Sequence, residues 1–241
     1  MSISRQNLSI VIVTFKSELV IHECIKSIEK DIKIIVVENS DNSLFKEELE
    51  NTYDNVSCVL TTENLGMGVA NNIGIKKAKT DFVLILNPDV ILETSTINEL
   101  IIASQKNTNF AILAPISVDV EYPNYKLFND EKNNKESDFS FKVKSVDGFA
   151  MLFNKKQLDK VLSKDYFDQN FFMYLENDDL CKRIRQINKN IFIIPKSKIK
   201  HLGAKGVNEK YNKEIELSRN WHWIWSKFYF NKKHFGYSKA F

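Results

Sequence analysis

Five short apolar runs alternate with four segments of helical spacing over residues 8–116, and no other feature restricts the fold as much. The runs are 8–14 (LSIVIVT), 32–37 (IKIIVV), 56–60 (VSCVL), 82–86 (FVLIL) and 111–116 (AILAPI). Between them, Val20, Ile21, Cys24, Ile25 and Ile28 recur at helical spacing after a Ser17 cap. A polar helix is expected over 43–50 and a Gly-punctuated one ending near Lys79. A fourth helix is expected after Thr94 or Ser95. Strands alternating with helices imply a mostly parallel sheet with right-handed crossovers.

The central run ends in Asn87-Pro88-Asp89. Pro88 cannot donate to a ladder, so the strand stops there. Asn87 and Asp89 then sit at a strand carboxyl end, where open α/β sheets bind ligands. Two oxygen-bearing side chains one residue apart can face one hard cation; the plainer reading is a turn and helix cap. The residues after the other strands, Thr14-Phe15, Glu38-Asn39 and Glu63-Asn64, share the same edge. Glu38 can accept from a base or ribose, or cap the next helix. The backbone from Asn64 through Gly68 offers N–H groups to a phosphate. Asn71 and Asn72 interrupt an apolar helix, and Asn71 is expected to face outward.

Beyond residue 117 the pattern changes. Residues 118–145 are polar and aperiodic and read as a surface excursion, a candidate for mobility. A strand-like stretch, 146–154, carries an Asp147-Gly148 turn, and a short helix is expected over 155–162. An aromatic stretch (167–175), an amphipathic helix (178–187), a short strand (191–194) and a Gly-rich loop after His201 follow. A long helix is expected from 212 to about 233, with Trp221, Trp225 and Phe228 on one face. Lysines intersperse them and no acidic residue follows Glu216, a composition that suits a membrane interface or a packed terminal helix.

A net charge of +3 is too small to argue for nucleic acid. Three scattered cysteines form no metal pattern or disulfide framework, which points to a reducing compartment. The first apolar run is too short for a signal peptide, and no stretch reaches membrane-spanning length.

The ordered set SIVIVTF, VVENSDN, ENLGMGVANNIGI, LILNPDV, DGFAML, FDQNFFMYLENDDLCKR and KHLG resembles glycosyltransferase family two, in its rhamnosyltransferase-like branch. The resemblance extends to SRNWHWIW and YFNKKHFG near residue 241. It implies a GT-A α/β fold: a nucleotide-sugar-binding half (1–116), an acceptor-binding and catalytic half (117–211), and a C-terminal aromatic and basic helix (212–241). It also implies inverting transfer from a nucleotide-diphosphate sugar, a dTDP- or UDP-sugar such as dTDP-rhamnose, to a glycan or lipid-linked acceptor of a surface polysaccharide. The family's Asp-x-Asp motif is Asn87-Pro88-Asp89 here, so Asp89 is the expected ligand of Mg²⁺ or Mn²⁺, with Asn87 assisting. His201 matches a histidine that completes the metal site. Thr14, Phe15, Glu38 and Asn39 match nucleoside-holding positions, Asn64 a loop over the nucleotide, and Asp147 and Gly148 the acceptor-side turn.

Inverting transfer needs a carboxylate base. The family's Glu-Asp-x-Asp-Leu reads Glu176-Asn177-Asp178-Asp179-Leu180, with an amide where the base is often assigned. Asp179 can pair with Arg183 one turn on. Glu176, beside Tyr174 and Leu175 and just before the helix, is the expected base, and Asp178 the second choice. The expected location is cytoplasmic, peripheral on the inner membrane face. Two other readings stand beside this one. A sugar nucleotidyltransferase would carry a Gly-rich, Arg-containing loop where this chain has Thr14-Phe15-Lys16-Ser17. A degenerate nucleotide-sugar-binding partner would explain Asn87 and Asn177 in place of acids.

Overall fold

The computed structural model describes residues 3–119, 123–128, 139–159, 162, 165–203 and 212–240. Its strands are β1 (Leu8–Thr14), β2 (Lys33–Glu38), β3 (Val56–Leu60), β4 (Phe82–Leu86), β5 (Val90–Leu92), β6 (Phe110–Ser117), β7 (Tyr125–Lys126), β8 (Phe141–Lys142), β9 (Ser145–Val146), β10 (Ala150–Asn154) and β11 (Asn190–His201). The helices are α1 (Ile21–Lys26), α2 (Ser43–Thr52), α3 (Met67–Lys77), α4 (Thr96–Lys106), α5 (Lys155–Leu158), α6 (Glu176–Gln186) and α7 (Asn212–Phe235).

The main sheet runs β3-β2-β1-β4-β10-β6-β11-β5, with β8 on the flank of β11. β1 to β4 are parallel neighbours, as the alternation predicts. All residues of β1 and β4 are buried, because helices cover both faces. Successive side chains of β1 therefore enter opposite cores. Ile10 and Ile12 join Ile21, Phe45, Leu49 and Leu100, while Val11 and Val13 join Ala70, Ile75, Leu180 and Ile184. α3 lies very close to the sheet at Gly74, where a Cβ would come within 2.3 Å of Val11 Cγ1.

Two strands depart from the parallel pattern, and both matter for the site. β10 runs antiparallel between β4 and β6, with Ala150 opposite Leu86. Its first residues therefore enter at the rim where β4 ends, bringing Asp147-Gly148 beside Asn87. β5, which the sequence reading passes over, pairs antiparallel with the end of β11, His201 opposite Val90. The expected short strand at 191–194 is the first part of a twelve-residue strand, with a register shift between Ile194 and Lys198.

Other boundaries move for local reasons. α1 starts at Ile21, after a turn closed by the Ser17 carbonyl, which accepts from the Val20 and Ile21 N–H groups. The excursion is partly core: Tyr125 and Val143 are buried, and Tyr125 meets Phe141 edge-on at 5.3 Å. Its middle, 129–138, and the Gly-rich loop at 204–211 lie outside the described residues. Asp147-Gly148 is no hairpin, since β9 pairs with β7 in a separate ribbon and β10 enters the main sheet. Glu176 opens α6 instead of preceding it.

Candidate active site

The residues expected to hold a nucleoside form one bonded rim. Thr14 and Glu38 are both fully buried, and the Thr14 hydroxyl donates to Glu38 Oε2. Glu38 Oε1 accepts from the Ser40 N–H at 2.9 Å and from the Ser40 hydroxyl. Both carboxylate oxygens are thus engaged inside the protein, where they shape the strand end. Asn39 ties the next loop in: its amide donates to Asn64 Oδ1 at 2.9 Å, and its oxygen accepts from the Leu65 N–H at 3.1 Å. Phe15 projects outward, 42% exposed.

Three N–H groups of the Asn64–Gly68 backbone already have partners within the protein. Leu65 donates to Asn39, Gly66 to Asn64 Oδ1 at 3.0 Å and Met67 to the Phe172 carbonyl at 3.1 Å. Gly66 (φ 78°) is needed for close approach, since a Cβ there would meet the Phe172 carbonyl oxygen at 2.3 Å. Asn72 is buried and clasps the Phe167 backbone through N–H (2.9 Å) and C=O (2.8 Å). Asn71 is buried and lines the cleft, contrary to its expected outward position.

That cleft, about 630 Å³, opens where β4, β10 and α6 meet. Asn87, Asp147, Gly148, Glu176, Asp178 and His201 line it together. Asp89 stands directly behind His201, its Oδ2 3.3 Å from Nε2. The Asp89 carbonyl also accepts from the Leu202 N–H at 2.9 Å, so the β5–β11 pairing holds both partners. The His201 ring stacks on Phe149, centroids 4.2 Å apart. The Asp89–His201 pair fits a divalent ion: two ligands in adjacent positions around such an ion lie about 3 Å apart. Among the described residues no group of three or more His, Cys, Asp or Glu is gathered for a metal. Further ligands would come from substrate phosphates and water, as hard cations usually have them.

On the opposite wall, Glu176 begins α6 after two left-handed residues, Tyr174 (φ 69°) and Leu175 (φ 64°). Its Oε2 is buried and, among the described residues, is the one shielded side-chain oxygen or nitrogen with no hydrogen-bond partner. Burial is the main force on its acid equilibrium, with Asp178 adding repulsion, and the carboxyl is pushed up to about 7. Asp178 is held by Lys126 at 2.7 Å. Asp147 is raised chiefly by burial, with Lys126 and His201 opposing and Asp178 reinforcing the shift. Asn177 pins the α6 start to β9 by donating to the Val146 carbonyl at 2.8 Å. Asp179 faces away from the cleft and is fully buried. It accepts from Arg183 (2.8 Å), as its spacing predicts, and also from Lys233 (2.6 Å) and His234 (2.8 Å) of α7.

Several lining residues escape a linear reading. Lys126 sits in the aperiodic excursion, Phe149 passes for an ordinary strand residue, and Arg219 and Trp223 belong to the terminal helix. Only the i, i+4 spacing of the last two hints at a shared face. The three cysteines are buried free thiols. Burial pushes Cys58 and Cys181 up to about 12, so neither offers a ready nucleophile.

The family described as Glycosyl transferase family 2 matches residues 9–170, about two thirds of the chain. A hexosyltransferase of low-salt glycan biosynthesis, Agl10 of Haloferax volcanii, is 28% identical over 207 residues, covering 77% of this chain and 64% of that protein. The chain thus spans less than two thirds of that relative. The rhamnosyltransferase WbbL of Escherichia coli is 27% identical, covering 77% of this chain and 80% of WbbL. A crystal structure of GalNAc-T7 with UDP, GalNAc and Mn²⁺ superposes with a TM-score of 0.66 at 14% identity, covering 94% of this chain and 50% of that one. Residues 1–349 of S. aureus TarS give a TM-score of 0.60 at 14% identity over 94% of this chain and 80% of that one. These neighbours establish a GT-A-like fold.

Proposed function

Since the chain belongs to glycosyl transferase family 2, we propose that it is an inverting glycosyltransferase. It moves a hexosyl or rhamnosyl unit from a nucleotide-diphosphate sugar to a glycan or lipid-linked acceptor in surface polysaccharide synthesis. The proposed donor is a dTDP- or UDP-sugar, with dTDP-rhamnose the choice suggested by the likeness to a rhamnosyltransferase. The proposed setting is the cytoplasm, at the inner membrane face.

The observation that carries this reading is Glu176. A carboxyl buried on a cleft wall, with one oxygen unpartnered among the described residues and poised near neutrality, suits a general base. In the proposed mechanism it takes the proton from the acceptor hydroxyl as that oxygen attacks the anomeric carbon. The bond to the diphosphate breaks on the opposite face, and the nucleotide leaves. Asp178, neutralised by Lys126, is the weaker candidate and is assigned to shaping the acceptor side with Asp147 and Gly148. Asp89 and His201 would hold Mg²⁺ or Mn²⁺, whose charge stabilises the departing diphosphate. The Mn²⁺ and UDP named for the GalNAc-T7 structure support this choice. Thr14, Phe15, Asn39, Asn64 and Asn87 form the nucleoside side, with Glu38 positioning Thr14. Asn177 holds a backbone carbonyl, so an amide there leaves the proposed base untouched and weakens the degenerate-partner reading.

The test uses purified protein, Mn²⁺ and a panel of nucleotide sugars. Glu176→Gln should lower transfer by roughly 10²–10⁴-fold while donor binding, read by thermal shift, stays near the parent value. Near-normal turnover by this variant would move the base elsewhere. Absence of both transfer and donor hydrolysis in the parent, across the panel, would sink the catalytic reading itself.

A further inference from the structure

We infer that α7 seats the protein on an anionic bilayer surface through its outward face. At about 100° per residue, α7 divides into three arcs. One arc is docked: Ser226 donates to the Met173 carbonyl (2.6 Å), Tyr229 to Asp168 (3.0 Å), and Lys233 pairs with Asp168 (2.7 Å). A second arc, with Arg219 and Trp223, borders the cleft and an adjoining cavity of about 400 Å³. The third arc holds Leu217, Trp221 and Ile224, at i, i+4 and i+7, with Trp225 beside them. Their exposures are 64%, 67%, 65% and 46%. Trp225 leans on Phe228, centroids 5.9 Å apart. Among the described residues, nothing covers this contiguous face of indole and aliphatic surface.

Charge selects the occupant. Residues 217–241 contain Arg219, Lys227, Lys232, Lys233 and Lys239 and no aspartate or glutamate. Lys233 is engaged with Asp168 and Asp179, while exposed Lys227 lies beside the apolar arc and Lys232 follows further along it, over the Tyr237 ring. A cationic border around tryptophans matches anionic headgroups over an acyl boundary. It opposes a second copy of the same face, whose lysines would meet like charge. No described helix is long and apolar enough to cross a membrane, so α7 lies along the surface instead of spanning it. The cleft arc and the outward arc meet on the same turns, so the cleft mouth opens within about 10 Å of the headgroups, one helix diameter. Granting the transfer reading above, this makes the acceptor a lipid-borne glycan.

The experiment is co-sedimentation of the full chain with phosphatidylcholine vesicles, with and without about 30% phosphatidylglycerol. Binding is expected to the anionic vesicles, weakening as salt rises. Trp221→Ser with Trp225→Ser should lower partitioning about tenfold or more, and Lys227→Glu with Lys232→Glu should remove the lipid-charge dependence. These surface changes should leave donor turnover and circular dichroism as in the parent. Equal binding to both vesicle types, or parent-like binding by the tryptophan pair, would overturn the inference. So would a dimer in sedimentation equilibrium that the tryptophan pair dissolves, which would give the face to a second copy. Vesicle binding is read without donor, so a chain inactive in transfer that still binds leaves this inference standing while the functional reading fails.

Discussion

Glu176 makes the residue scale testable by pH. A base raised to about 7 must lose its proton to act, so kcat/KM should fall about tenfold per unit below pH 7 and level above it. A profile flat from about pH 5 upward would exclude it. The same shift has a stability side. A folded acid equilibrium raised above the ordinary 4.5 favours the protonated native state, so its contribution is complete below about 4.5 and is lost as pH rises through about 7. Glu176→Gln should therefore melt higher than the parent at pH 8 and the same at pH 4, by at most about 3 kcal/mol. Gly148 gives a cleaner separation of roles. A Cβ there would stand 3.5 Å from Asn177 Cβ and 3.7 Å from Glu176 Oε1, ordinary contacts at an unstrained φ. Gly148→Ala should leave stability within about 0.5 kcal/mol but raise the acceptor KM, and an unchanged KM would remove Gly148 from the acceptor side. Glu176, Asp89 and His201 are named through the family resemblance, and the structure places Glu176 at the start of α6 and His201 at the end of β11, next to Asp89. The burial of Glu38 and Asn71 was not readable in the sequence, since it depends on neighbours far along the chain.

At the scale of elements, helix–sheet contact is tightest at Gly74. The branched Val11 side chain beneath it is fixed between strands, so Gly74→Ala must push α3 off β1. A loss of about 1–3 kcal/mol in denaturant unfolding is expected, larger than the helix-propensity gain of about 1 kcal/mol. A stabilised variant would show that α3 can shift freely. β1 and β4 were legible in the sequence to the residue, because doubly buried strands leave long apolar runs, and the half-buried edge strand β3 matched as well. β5 was hidden. Three residues carry no period, and its pairing comes from the far end of β11, about a hundred positions later. The reversed direction of β10 was equally invisible, because an apolar run does not encode its own polarity.

Over the whole molecule, the chain joins its two ends of chemistry through one buried carboxylate. Asp179 receives Arg183 from its own helix and Lys233 and His234 from α7. Removing one partner from such a buried ionic cluster typically costs about 3–5 kcal/mol. Asp179→Ala should unfold at clearly lower urea, and an unchanged midpoint would show the cluster to be dispensable. The sequence disclosed the i, i+4 half of this cluster and concealed the other half, which needs α7 folded back across the molecule. It follows that the tail is a keel and not a tag. Clipping the chain ahead of Asn212 to obtain a lipid-indifferent enzyme would strip two of the three side chains that hold Asp179, the Lys233 charge among them, from beneath the helix that aims Glu176. Such a truncated protein would fail at chemistry for reasons of architecture, and its silence would say nothing about membranes.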